Sequence, residues 1–151
     1  MNVSIEGTAH VNKARELYGQ QYLCSQAVLA AFAEELGLGE AQALKLGACF
    51  GGGMCKGEVC GACTGALMVL GLKYGQCEPG ADSRIRSNNA AIRFLDLFRS
   101  ENGSYMCRDL LGCDLTTQEG KNYAIEHNLF TDFCPEMVAS AAKITEQLLN
   151  E

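Results

Sequence analysis

Apolar positions recur along the chain with the period of an α-helix, and no segment alternates apolar and polar residues as a half-buried strand must. Val11, Ala14 and Leu17/Tyr18 share one face of a predicted helix from about Thr8 to Tyr18, and Gly19 is its stop. The next, from about Ser25 to Leu36, is apolar nearly all round over Ala27–Ala33, the pattern of a central buried helix ended by Gly37 and Gly39. A short helix from Glu40 to about Ala48 leads into a glycine-rich loop, and another helix runs from about Gly61 to Tyr74. Beyond the Pro79-Gly80 turn, Ile85, Ile92, Leu95 and Phe98 mark a long helix from about Ser83 to Ser100. Cys107–Leu111 reads as a short helix, and Thr116-x-x-Glu119 has the capping-box spacing that opens a helix to about His127. In the last helix Met137, Val138, Ala141, Ala142, Leu148 and Leu149 form one stripe. Pro135 suits its first turn, which puts Cys134 at the N-cap. The expected fold is all-α: a single domain over residues 1–151, a bundle of about six to eight helices with a glycine-rich loop.

Composition narrows the function classes. A chain of 151 residues buries roughly two-thirds of its unfolded surface, enough for a real core. Hydrophobic residues at 48% and charged ones at 20% exclude a disordered chain. With 12 basic and 18 acidic side chains the net charge is −6, which argues against nucleic-acid or anionic-membrane partners. The longest apolar run, Gly65–Leu72, is far short of the ~20 residues of a membrane span. Met1–Glu6 has neither a basic nor an apolar leader region, so the expected location is the cytoplasm.

Cysteine is the anomaly. There are nine, at 24, 49, 55, 60, 63, 77, 107, 113 and 134. In a reducing compartment such a number points to metal, cluster or redox chemistry more than to disulfides. The bland alternative is that free cysteines are small, buried hydrophobes. Four of the nine, with nine of the 17 glycines, fall between Gly47 and Gly75. A P-loop would need Lys before a hydroxyl, and a dinucleotide fingerprint would need glycine where Lys56 stands, so neither explains the glycines. A flexible connector, or tight helix packing at Gly61 and Gly65, would. Cys60-x-x-Cys63 has dithiol spacing outside the usual βαβ setting. Thr64 after Cys63 excludes covalent c-type haem. Cys24, Cys60, Cys107 and Cys134 each fall at or just before a predicted helix start, where free N–H groups and the helix dipole favour thiolate. With eight helix starts and nine cysteines, coincidence is the competing explanation.

At these residues the chain resembles the redox-active proteins labelled by a C…GCAxxG…C…C pattern, whose core is a CGAxxG motif. The core here is Cys60-Gly61-Ala62-Cys63-Thr64-Gly65, with Cys24 upstream and Cys107 and Cys134 downstream. The run Phe50-Gly51-Gly52-Gly53-Met54 and the stretch Leu67–Gly75 also look typical. The resemblance implies redox activity centred on cysteines and no specific reaction. Some relatives carry haem-binding segments, which this chain lacks, and it departs from the pattern with five extra cysteines, Cys49, Cys55, Cys63, Cys77 and Cys113.

The leading expectation is a small redox protein in which Cys24, Cys60, Cys107 and Cys134 hold an iron–sulfur cluster for electron transfer or redox sensing. Gly51, Gly52, Gly53 and Gly61 would wall the site, and the partner would be a redox protein or a small thiol. A second reading is a metal-free thiol–disulfide oxidoreductase working through Cys60 and Cys63. A third is a structural four-cysteine zinc site, and a fourth a bundle of inert thiols. His10 and His127 lie among polar neighbours and are expected at the surface.

Overall fold

The computed structural model describes residues 7–151; Met1–Glu6, read above for a leader, lie outside the described residues. Eight α-helices carry the fold: α1 (Ala9–Gly19), α2 (Cys24–Ala33), α3 (Glu40–Gly47), α4 (Gly61–Tyr74), α5 (Ile85–Asn102), α6 (Cys107–Leu111), α7 (Gln118–Glu126) and α8 (Cys134–Leu149). The expected all-α class is what the chain adopts. Among the described residues, extended pairing is confined to one antiparallel bridge between Val59 and Met106.

α2 is the axis. Ala27 to Ala33 are all buried, and α1, α4 and α8 pack around them. Small residues let these backbones approach: a Cβ on Gly65 of α4 would lie 2.6 Å from the Ser25 carbonyl oxygen of α2. Ser25 is fully buried at this crossing, and its hydroxyl donates to the Gly47 carbonyl at 2.7 Å. Phe94 and Phe98 of α5, with Leu70 and Ile144, fill the core on the far side.

The structure shifts three local expectations. α7 is capped by Thr117, whose hydroxyl accepts from the Gly120 N–H at 2.9 Å. Thr116 is not free to cap, because its own hydroxyl and N–H both donate to Asp114 Oδ1, at 2.6 and 2.9 Å. Cys134 is the first residue of α8 rather than its N-cap, because the π turn Leu129–Phe133 runs into the helix with no extended residue between. The glycine-rich stretch is not an open loop. It forms a second π turn, Gly53–Gly57, beginning in the left-handed region. Among the described residues no helix is long and apolar enough to cross a membrane.

Candidate functional site

Four helix starts point into one space. Cys24 opens α2 behind an extended Leu23, whose N–H donates to the Gln26 side chain at 2.9 Å. Cys60 is the extended N-cap of α4, Cys107 opens α6, and Cys134 opens α8. The Val59–Met106 bridge fixes two of them relative to each other. The Cys60 N–H donates to the Tyr105 carbonyl at 2.8 Å, and the Cys107 N–H to the Glu58 carbonyl at 2.6 Å. Arg108 clamps the same segment: its Nε donates to the Gly57 carbonyl at 3.0 Å and its Nη2 to the Glu58 carboxylate at 2.6 Å.

The turn leading to this bridge reverses hand. Gly52, Gly53, Met54 and Cys55 are four consecutive residues with φ of 64°, 64°, 59° and 60°. L-residues visit this region singly, because Cβ crowds the following carbonyl, so two glycines begin the run where a side chain is least tolerable. A Cβ on Gly53 would also press on Glu58 backbone and on Cys107 Cβ. The reversal aims the Gly52 N–H at the Cys24 sulfur, to which it donates.

Cys24, Cys60, Cys107 and Cys134 all line a single cavity of about 530 Å³. Gly52 and Gly61 form part of its wall, whereas Gly51 and Gly53 stand behind it, against Leu23 and against the Glu58 backbone. Tyr18, Tyr22, Leu111, Leu115, Phe130 and Phe133 make much of the remaining surface. Among the described residues no charged side chain lines it. Cys63 is wholly buried and off the cavity; Cys49, Cys55 and Cys77 are exposed, and Cys113 is half-buried elsewhere. His10, stacked on Phe32 at 4.3 Å and bonded to Glu35, and the exposed His127 also lie away from it.

The thiols are not equivalent. Cys60 is held below the ordinary thiol range: the Cys63 thiol donates to its sulfur, and the Ala62 and Cys63 N–H groups of the first turn of α4 add to that and outweigh burial. The other cavity cysteines go the opposite way. Burial, then the negative charge of Cys60, raises Cys24 despite the Gly52 hydrogen bond. Burial and Cys60 likewise push Cys107 up to about 12. They push Cys134 up to about 11, while the Tyr18 hydroxyl beside it gives its proton to the Phe130 carbonyl at 2.8 Å. Cys63 is driven far up by burial and by donating to Cys60. Reduced and without a cation, Cys60 is therefore the most readily ionised of the four cavity thiols. A positive centre among the sulfurs would reverse the repulsion and release their protons.

The donor set suits soft, thiophilic metal chemistry. Among the described residues, no three His, Cys, Asp or Glu side chains stand close enough to grip a single ion. A tetrahedral zinc would need sulfurs roughly 3.8 Å apart, whereas a core of several metals spreads its ligands further. Cys24, Cys60, Cys107 and Cys134 are the residues that could hold such a core.

Sequence reasoning missed Phe130, Phe133 and Leu115 on the wall, and Arg108 as the clamp. The first three sit in irregular segments without periodicity. Arg108, next to Cys107 in a short helix, was the one visible signal. Tyr18 was read only as an inward face of α1.

A helical, cysteine-centred site of this form defines a class of cysteine-rich all-α proteins. The chain belongs to the family described as "Putative redox-active protein (C_GCAxxG_C_C)", whose model matches residues 22–148. No curated protein and no solved structure matches the chain.

Proposed function

We propose that this chain is a small cytoplasmic redox protein in which Cys24, Cys60, Cys107 and Cys134 hold an iron–sulfur cluster, serving electron transfer or redox sensing with a protein partner. The observation that carries the reading is the meeting of four thiols, from four separate helix starts, on one uncharged cavity. Bound there, the cluster would supply a one-electron couple. The chain's residues supply the rest. Cys60, whose thiol gives up its proton most readily, is the first ligand available. The Gly52 N–H and the helix starts offer positive dipole ends to sulfur, which tune a thiolate-bound centre. Aromatic and aliphatic walls limit water.

Purification without oxygen tests this. Brown protein with visible charge-transfer absorbance, and iron and acid-labile sulfide bound together, is the expected result. Cys24→Ser, Cys60→Ser, Cys107→Ser and Cys134→Ser should each abolish or sharply reduce the bound iron, while Cys77→Ser and Cys113→Ser should leave it. Colourless, iron-free protein from an anaerobic, iron-replete preparation would end the reading.

One observation favours a second reading, a metal-free thiol–disulfide oxidoreductase. The Cys63 thiol donates to the Cys60 sulfur and helps hold Cys60 below the ordinary thiol range, the arrangement of an attacking and a resolving thiol. It predicts that Cys63→Ser damages activity as much as Cys60→Ser, with Cys24→Ser harmless.

A further inference from the structure

The cavity extends beyond what its cysteines need. Metal–sulfur bonds of about 2.3 Å make even a four-metal core compact, on the order of 200 Å³ with its van der Waals skin. The cavity is about 530 Å³, inside the range of small-molecule sites. Apart from the thiols its lining is mainly aromatic and aliphatic, with Phe130 (38% exposed) and Leu23 (42%) among the wall residues open to solvent. The polar side chains among the wall residues, such as Gln21, Tyr22 and Thr131, are neutral, which suits orientation more than charge recognition.

Backbone strain gathers around the same space. Among the described residues, the non-glycine ones in the left-handed region are Gln21, Met54, Cys55 and Asn128. Gln21 is on the wall, Met54 and Cys55 continue the turn begun by Gly52, and Asn128 precedes the π turn that supplies Phe130 and Phe133. Of the two π turns among the described residues, Leu129–Phe133 lies on the cavity wall and Gly53–Gly57 starts next to Gly52 on that wall. Such strained and π-turn segments concentrate where a protein holds a ligand.

We propose that this cavity binds an uncharged, mainly apolar, ring-bearing small molecule, seated between the thiols and the wall of Phe130, Phe133 and Leu115. The ring suits the aromatic wall. A charged ligand would lose its hydration with no counter-charge to replace it. The site does not require the cluster, because thiols and apolar wall face the ligand in either state.

The test uses full-length protein prepared without oxygen, with iron and sulfide measured on the same sample. The neutral fluorophore phenylnaphthylamine is titrated against wild type, Phe130→Lys, Leu115→Lys and the remote surface control Ile92→Lys. Expected is saturable one-to-one binding, unchanged in the control and weakened about tenfold or more in the two wall variants, all folded by circular dichroism. Binding of this kind to iron-free protein would support the cavity site while sinking the cluster reading. No saturable binding, equal binding in the wall variants, or equal binding of the anionic anilinonaphthalene sulfonate would overturn the proposal. So would self-association that Phe130→Lys abolishes and phenylnaphthylamine does not disturb, which would make a second copy of the chain the occupant.

Discussion

Gly61 stands directly against Cys24: a Cβ built on Gly61 would lie 2.5 Å from the Cys24 sulfur and 3.1 Å from the Phe50 carbonyl oxygen. The residue after Cys60 is therefore glycine because a thiol from another helix occupies the space a side chain would take. Gly61→Ala should destabilise the protein by ~1–3 kcal/mol, as overpacking does, and displace Cys24 from the cavity. Gly65→Ala, which crowds Ser25 backbone instead, should cost a similar amount and leave the cavity intact. Urea midpoints and bound iron, measured on both variants, separate the two effects.

Cys63 acts on the site through Cys60. Cys63→Ala removes the donor that most favours the Cys60 thiolate, so the lowering of the Cys60 pKa, followed by thiolate ultraviolet absorbance against pH on the reduced, metal-free protein, should be lost. Cys63→Ser keeps a hydroxyl donor and should restore most of it. Unchanged absorbance in the alanine variant would mean that the N–H groups of α4 suffice alone.

Alkali should loosen the reduced, metal-free protein. In the unfolded chain Cys107 and Cys134 ionise near 9.0, whereas in the folded chain they hold their protons to about 12 and about 11. Their folded values are raised, so their contribution is complete below about pH 9 and is lost as pH climbs toward 12. Denaturation midpoints taken in reductant and chelator should fall across that window. Cys107→Ser, lacking one such thiol, should show a shallower fall.

Arg108 ties the left-handed turn to α6 through the Gly57 carbonyl and the Glu58 carboxylate. The exposed ion pair contributes little, so the bond to a backbone carbonyl dominates. Arg108→Ala should cost ~1 kcal/mol of stability. Its larger effect should be on the spacing of Cys60 and Cys107, read as faster loss of bound iron to a chelator. Equal rates of loss would confine Arg108 to the surface.

Helix positions were legible in the sequence because each carries its own periodicity and stop: α4 runs from Gly61 to Tyr74 as the pattern predicts. The gathering of Cys24, Cys60, Cys107 and Cys134 was foreshadowed by their shared place at helix starts. What the sequence hid was decided by competition between neighbours. Thr116 lost the cap of α7 to Thr117 because Asp114 engaged it first. The glycine run gave no hint of its handedness, since glycine accepts either sign of φ. The apolar wall of Leu115, Phe130 and Phe133 was invisible because two irregular segments supply it.

The turn at Gly52–Cys55 is in effect a fragment of mirror-image helix set in a right-handed protein. At Gly52 an L-Cβ would have ample room, with Leu115 as its nearest neighbour at 4.0 Å. The obstacle to a side chain there is chirality rather than crowding, worth about 1–2 kcal/mol per residue. Met54 and Cys55 bear that cost already. Stereochemistry alone thus explains the glycine at 52, and a chemically assembled chain with D-residues at 54 and 55 would meet its own helical preference there.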